Sequence, residues 1–257
     1  ELGAAAAHGG ITTRTWFAER GQLQANDPLR MARPDAGPYL VSTKAIAVEN
    51  THNFGGGTIQ DIEQIRDLHR GATEMGLSLH LDGARIWNAH IATGVPLTEY
   101  GKYFETISVC LSKGLGAPIG SILLSNAENI KTARVWRKRL GAGMRQVGVL
   151  GAAGHFALDN NISRLSEDHR HAKILAEKIH QVAPTSVYPE FVQSNIVGLN
   201  LKETTLTAAD LAIAAKENGV LISALGPRYA RIVTHLDVTE SQIHTAAEVI
   251  ASIMKGR

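Results

Sequence analysis

The sequence predicts an α/β fold in which a mostly parallel sheet is flanked by helices and followed by a smaller C-terminal α/β domain. Short apolar segments at residues 44–48, 77–82, 106–112 and 121–125 have the length and composition of strands. Helical patterns separate them, and this alternation is typical of βαβ units. Ligands bind such sheets beyond the carboxyl ends of the strands, so residues at those ends are the candidates for function.

The first clear helix is predicted over residues 58–75. Its apolar residues recur at steps of three and four, which gives one buried stripe. The members of that stripe are Ile59, Ile62, Ile65, Leu68, Ala72 and Met75. Gly76 ends the helix.

The second half of the chain begins with a helical pattern over residues 147–180, which predicts one long or broken helix that Pro184 stops. A strand, a helix closed by Gly219, another strand and a last helix then follow. That last helix opens at Thr239, and Gln242 completes a capping box with it. We therefore predict a partial large domain, a connecting helical segment and a small C-terminal domain, with bounds 1–150, 151–183 and 184–257.

Composition excludes several classes of function. The 257 residues carry 26 Lys and Arg against 24 Asp and Glu, which leaves no charge excess to attract nucleic acid or an acidic membrane. No apolar run approaches the roughly 18 to 20 residues of a spanning helix, and no charged leader precedes the fold. The single cysteine, Cys110, is expected to be a buried strand residue, and a reducing cytoplasm fits it best.

Two segments carry an aspartate and a lysine at strand ends: residues 80–89 (HLDGARIWNA), with Asp82, and residues 110–120 (CLSKGLGAPIG), with Lys113. An aldehyde cofactor with a basic ring nitrogen needs an amine to hold it as a Schiff base and a carboxylate to keep the ring protonated. The pair indicates a pyridoxal phosphate site. Taken singly, Lys113 is more typical of a solvated lysine, and Asp82 is typical of a turn residue that caps a helix.

Three arginines are candidates for binding anions. Arg85 lies one turn beyond Asp82, where a guanidinium could hold a substrate carboxylate by two hydrogen bonds; the alternative is a surface ion pair. Arg231 lies in a strand of the small domain and is either a ligand clamp or an outward edge residue. Arg145, in residues 141–146 (GAGMRQ), could meet a phosphate or cap a turn.

His52 follows a strand and precedes three glycines, in residues 49–57 (ENTHNFGGG). An imidazole can act as acid or base near neutral pH, so His52 is placed to move a proton on a bound ligand. The alternative is a turn histidine that contacts only backbone. No spacing of histidines and cysteines indicates a metal site, and we predict none.

Taken together, five segments resemble the low-specificity threonine aldolases, which belong to the β-eliminating lyase group of fold type I pyridoxal phosphate enzymes. The resemblance runs from Glu1 to the C-terminus in the same order. The segments are ENTHN (49–53), HLDGARIWN (80–88), LSKGLGAP (111–118), GAGMRQ (141–146) and RIVTH (231–235).

The resemblance implies a role for each candidate residue. Lys113 would form the Schiff base and Asp82 would hold the pyridinium nitrogen. Arg85 and Arg231 would hold the substrate carboxylate, and His52 would contact the substrate β-hydroxyl. Arg145 would lie near the cofactor phosphate, delivered across a subunit boundary, since family members are homo-oligomers, commonly tetramers.

The implied reaction is retro-aldol cleavage of L-threonine or L-allo-threonine to glycine and acetaldehyde. Another pyridoxal phosphate lyase or racemase is the alternative within that cofactor class, and a non-catalytic fragment is the alternative outside it. The family has further N-terminal sequence that carries a phosphate-binding helix start, a serine and a ring-stacking histidine. This chain opens at Glu1 without them, so the resemblance implies the function of the intact protein.

Overall fold

The computed structural model describes residues 2–256, which form two sheets with helices packed around them. The strands are β1 (Ala45–Glu49), β2 (Ser78–Gly83), β3 (Thr106–Cys110), β4 (Ser121–Leu124), β5 (Ile196–Asn200), β6 (Ser223–Gly226) and β7 (Tyr229–Val233). The helices are α1 (Ala4–Gly9), α2 (Asn26–Met31), α3 (Ile62–Glu74), α4 (Ile86–Thr93), α5 (Leu97–Gly101), α6 (Ala127–Arg139), α7 (Gly148–Asn160), α8 (Leu165–His180), α9 (Ala208–Glu217) and α10 (Glu240–Met254). None of these helices has the length and hydrophobicity that crossing a bilayer requires.

The first sheet has the order β1-β2-β3-β4. The first three strands are parallel, as the alternating pattern predicts, and β4 runs antiparallel to β3. The connection between β3 and β4 contains no helix, so the chain cannot cross over and instead returns beside the strand it has just left. The expectation of a βαβ unit there was wrong, although the sheet is mostly parallel.

Helix α3 begins later than the periodicity predicts. Residues 58–60 are buried but not helical, and Thr58 forms a bridge with His52. The helix begins after Asp61, whose side chain accepts the N–H of Glu63 and so caps the first turn. The apolar pattern therefore begins in a buried loop, residues 58–60, that precedes the helix.

The helical segment 147–180 is broken, which is one of the two outcomes that its pattern allows. Helix α7 is mostly exposed, whereas α8 buries a face that includes Leu175, Ala176 and Ile179. These three residues belong to the apolar core of the C-terminal sheet, together with Leu199 of β5 and Ile250 of α10. Helix α8 is thus an integral part of that core.

The second sheet is antiparallel, with the order β5-β7-β6. The predicted capping box is present: Thr239 accepts the N–H of Gln242 at the start of α10, and the Gln242 side chain accepts the N–H of Thr239. Strand β6 carries no pattern that predicted it. Cys110 at the end of β3 is half-buried, less buried than expected, because its neighbour β4 is an exposed strand.

Candidate active site

The carboxyl ends of β1 and β2 bring two carboxylates side by side. Glu49 is the last residue of β1 and is in register with Asp82 of β2. Asp82 is exposed, and one of its oxygens accepts the N–H of Ala84 at 3.1 Å. Because β1 and β2 are parallel, both acidic residues lie at the edge where this class of sheet binds ligands.

Arg85 lies directly before α4 and is buried, with 8% of its surface exposed. Burial lowers the pKa of its guanidinium, the positive charge of Arg231 lowers that pKa further, and Glu49 opposes both. Within residues 2–256 its Nε has no hydrogen-bond partner. A buried guanidinium beside a second cation is a site where an anion is favourable.

Arg231 comes to the same place from the other sheet. It lies on β7, and its Nη1 donates a 2.6 Å hydrogen bond to Oδ1 of Asn53. Its Nε, too, is buried without a partner in the described part of the chain. The two arginines thus converge from different sheets and retain donors that no neighbouring side chain uses.

His52 lies in a tight turn after β1, and its ring has a defined proton position. The Nδ1 atom accepts the backbone N–H of Gly55 at 3.0 Å. Because a backbone amide can only donate, Nδ1 carries no hydrogen, and the neutral ring carries its hydrogen on Nε2. That Nε2 lies 3.8 Å from Oε2 of Glu49.

The three glycines after His52 make this turn possible. Gly56 and Gly57 have φ angles of 85° and 78°, in the region that favours glycine. A Cβ on Gly55 would lie 2.0 Å from the carbonyl oxygen of Arg20. Ser194, just before β5, donates its hydroxyl to the Gly57 carbonyl at 2.8 Å. The turn is therefore packed between the two sheets.

Lys113 follows β3, the strand beside β2, and its side chain is exposed. Its carbonyl accepts the N–H of Gly116 at 2.9 Å, which closes a turn. A Cβ on the intervening Gly114 would lie 2.8 Å from Leu165. The glycine thus lets the Lys113 turn pack directly on α8, at the same sheet edge as Asp82.

A partly buried polar pair lies behind that turn. His169 of α8 has its Nε2 2.9 Å from Oδ1 of Asn88 on α4, to which it donates. Burial lowers the pKa of His169 from 6.5 to about 4. The side chain of Asn88 also lies 3.9 Å from the position that a Cβ on Gly114 would take. The pair therefore joins α4 to α8 beneath the Lys113 turn.

The structure connects most of the predicted site residues and separates one from them. Contacts or charge interactions link His52, Asp82, Arg85 and Arg231, and Lys113 lies at the neighbouring strand end. Arg145 is exposed in the loop between α6 and α7, apart from those contacts. Residues 2–256 contain no group of three or more metal-ligating side chains.

Sequence reasoning gave no role to Glu49 or Asn53, although both lie in the segment that contains His52. Glu49 accepts the N–H of Asn53 with Oε1 at 3.1 Å and faces His52 with Oε2. The available signal was a glutamate at the end of a strand that is otherwise apolar. Its neighbours could not be inferred, because the Asn53 side chain contacts a residue 178 positions away.

The sequences of known proteins align with most of this chain. A low specificity L-threonine aldolase of Escherichia coli K12 is 39% identical over 252 residues, which is 98% of this chain and 72% of that protein. Low-specificity L-threonine aldolase 1 of Arabidopsis thaliana is 40% identical over 212 residues, 82% of this chain and 59% of that protein. The chain therefore spans 59% of the length of one of these relatives and 72% of the length of the other.

Solved structures show the same fold. A putative L-allo-threonine aldolase of Listeria monocytogenes matches 99% of this chain and 70% of its own, with a TM-score of 0.77 at 21% identity. A threonine aldolase of Leishmania major matches 98% of this chain and 75% of its own, with a TM-score of 0.76 at 22% identity. The family described as β-eliminating lyase matches residues 1–202. Given this match and the related sequences, the chain belongs to the β-eliminating lyase family.

Proposed function

We propose that the protein cleaves L-threonine or L-allo-threonine to glycine and acetaldehyde with pyridoxal phosphate as its cofactor. The observation that carries this proposal is the convergence of Arg85 and Arg231, whose Nε atoms are buried without partners. An amino acid brings a carboxylate that matches two guanidinium groups. The names of the two related sequences described above, both L-threonine aldolases, support this substrate class.

The residues present fit the cofactor. Lys113 supplies an amine and Asp82 a carboxylate at the ends of neighbouring parallel strands. One oxygen of Asp82 is engaged by a backbone N–H, and the exposed carboxylate is accessible to a pyridine nitrogen. When bound, pyridoxal phosphate supplies an electron-accepting ring that labilises the bonds at the amino acid Cα.

The side chains of this chain would then orient the substrate. Arg85 and Arg231 hold its carboxylate, so that rotation about the Cα is restricted and the Cα–Cβ bond is presented to the ring. His52 contacts the β-hydroxyl. We also propose that Arg145 binds the cofactor phosphate.

We propose a homo-oligomer, dimer or tetramer, in which a neighbouring subunit completes the site with Arg145. Helix α6 has no buried residue, and every residue of β4 is exposed. Apolar residues on these elements and on α7, including Leu124, Trp136 and Phe156, are 46%, 47% and 63% exposed. Such a surface is typical of a subunit interface. The single free thiol, Cys110, supports a reducing compartment, and we propose the cytoplasm.

The test compares two reactions of the protein loaded with pyridoxal phosphate. Release of acetaldehyde from L-threonine supports the proposal, whereas exchange of the α-proton of alanine without acetaldehyde release indicates another lyase or racemase. Arg85→Lys should weaken threonine binding at least tenfold because it removes the paired donors. A protein that gives no cofactor absorbance would contradict the whole assignment. Lys216→Arg, at an exposed position of α9, is the matched control and should behave as wild type.

A further inference from the structure

We infer that Glu49 is a positioning residue that sets both the His52 ring and the Arg231 guanidinium through the turn at residues 52–57. The inference rests on the proposed function for the identity of the substrate. The orientation of the two side chains by Glu49 is inferred from the contacts that Glu49 makes with Asn53 and His52. The proposed function assigns Glu49 no contact with the substrate carboxylate or hydroxyl.

Oε1 of Glu49 is linked to Arg231 by two hydrogen bonds through Asn53. This oxygen accepts the backbone N–H of Asn53 at 3.1 Å, and the side-chain oxygen of Asn53 accepts Nη1 of Arg231 at 2.6 Å. One end of the Arg231 guanidinium is thereby fixed, while its Nε stays without a partner within residues 2–256. The carboxylate of Glu49 thus positions a cation that belongs to the other sheet.

Oε2 of Glu49 faces the ring of His52. The Gly55 N–H fixes the ring hydrogen on Nε2, as shown above. Oε2 of Glu49 lies 3.8 Å from this Nε2, which is too long for a hydrogen bond. The negative charge of Glu49 therefore attracts the Nε2–H group but does not accept its hydrogen bond. His52 can donate this hydrogen bond to the oxygen of a bound hydroxyl.

Both of these arrangements depend on the same turn, and the turn depends on Glu49. The turn is closed by His52 N–H to the Thr58 carbonyl at 2.8 Å and by Gly57 N–H to the His52 carbonyl at 2.9 Å. Its first residues are held to β1 by the Glu49 carboxylate. Glu49 is half-buried, with 27% of its side chain exposed, so this hydrogen bond is partly shielded from water.

The experiment distinguishes the roles of the two carboxylate oxygens of Glu49. Glu49→Gln keeps a carbonyl that can accept the Asn53 N–H but removes the charge that faces His52. Glu49→Ala removes both, and Asn53→Ala removes only the link to Arg231. Glu74→Gln, on the exposed end of α3, is the matched control. Each protein is loaded with pyridoxal phosphate, and three quantities are measured: glycine affinity, kcat with L-threonine, and the nitrogen NMR shifts of the His52 ring.

The inference predicts a distinct result for each variant. Glu49→Gln should keep glycine affinity within twofold and keep the hydrogen on Nε2, with kcat several-fold lower. Asn53→Ala should weaken glycine about tenfold, the value of one hydrogen bond to a charged group, with the His52 shifts unchanged. Glu49→Ala should weaken glycine equally and give a mixture of ring tautomers. Glu74→Gln should match wild type.

The inference is overturned if Glu49→Ala keeps both wild-type glycine affinity and the wild-type His52 shifts. Should Glu49→Ala fail to fold, Asn53→Ala and Glu49→Gln still decide: unchanged glycine affinity in the first, or unchanged kcat in the second, contradicts it. Failure of the proposed function looks different. Wild type itself would then release no acetaldehyde, while the His52 shifts of the variants would still report whether Glu49 sets the ring.

Discussion

Replacing His169 by glutamine should remove part of the acid sensitivity of the fold. His169 is neutral in the folded protein because burial lowers its pKa from 6.5 to about 4. Between about pH 6.5 and about pH 4, His169 is protonated in the unfolded chain but not in the folded chain. The free energy of unfolding must therefore fall as pH drops through this window, by about 3 kcal/mol in total and about 2 kcal/mol between pH 7 and pH 5.

Glutamine keeps a donor for Asn88 but does not titrate, so His169→Gln should lack this contribution. The assay is urea unfolding of both proteins at pH 7, 6 and 5. Other titrating groups occur in both proteins and cancel in the comparison. We expect the wild type to lose about 2 kcal/mol more than the variant between pH 7 and pH 5. Parallel pH profiles for the two proteins would refute the assignment of His169 as a partly buried, neutral imidazole.

Two further predictions concern the site and the core. His52→Ala should slow threonine cleavage by at least tenfold while cofactor affinity, followed by absorbance titration, changes little, because the proposed role of His52 is at the hydroxyl and not at the ring; equal losses in both would contradict that role. Leu175→Ala should lower the free energy of unfolding by about 3 kcal/mol in urea titration, since the side chain is 1% exposed in the C-terminal core; a change below about 1 kcal/mol would show that the core repacks.

Local periodicity accounts for what could be predicted of the fold. The strands at Asp82 and Cys110 and the capped helix after Thr239 are each specified by neighbours within a few residues. Where the expectation was wrong, a local signal competed with the apolar period. Asp61 caps α3 and overrides the stripe that begins at Ile59. The direction of β4 follows from the connection before it, which is too short for a crossover helix.

The candidate site was only partly predictable. Asp82 and Lys113 could be placed because Asp82 lies at the end of β2 and Lys113 follows β3 of the same sheet, and carboxyl ends of parallel strands share an edge. The Arg231 contact with Asn53 joins residues far apart in sequence, and no short-range pattern encodes it. The same holds for the role of the glycines at 55–57. They form a turn packed between two sheets, which only the tertiary structure brings together.

The central claim is that the sheet edge at β2 and β3 holds pyridoxal phosphate through Lys113. The most direct test is borohydride reduction of the protein mixed with the cofactor, followed by peptide mass spectrometry. The account predicts a single covalent adduct on Lys113 that is absent in Lys113→Ala. An adduct that persists in Lys113→Ala, or that maps to another lysine in the wild type, would contradict it.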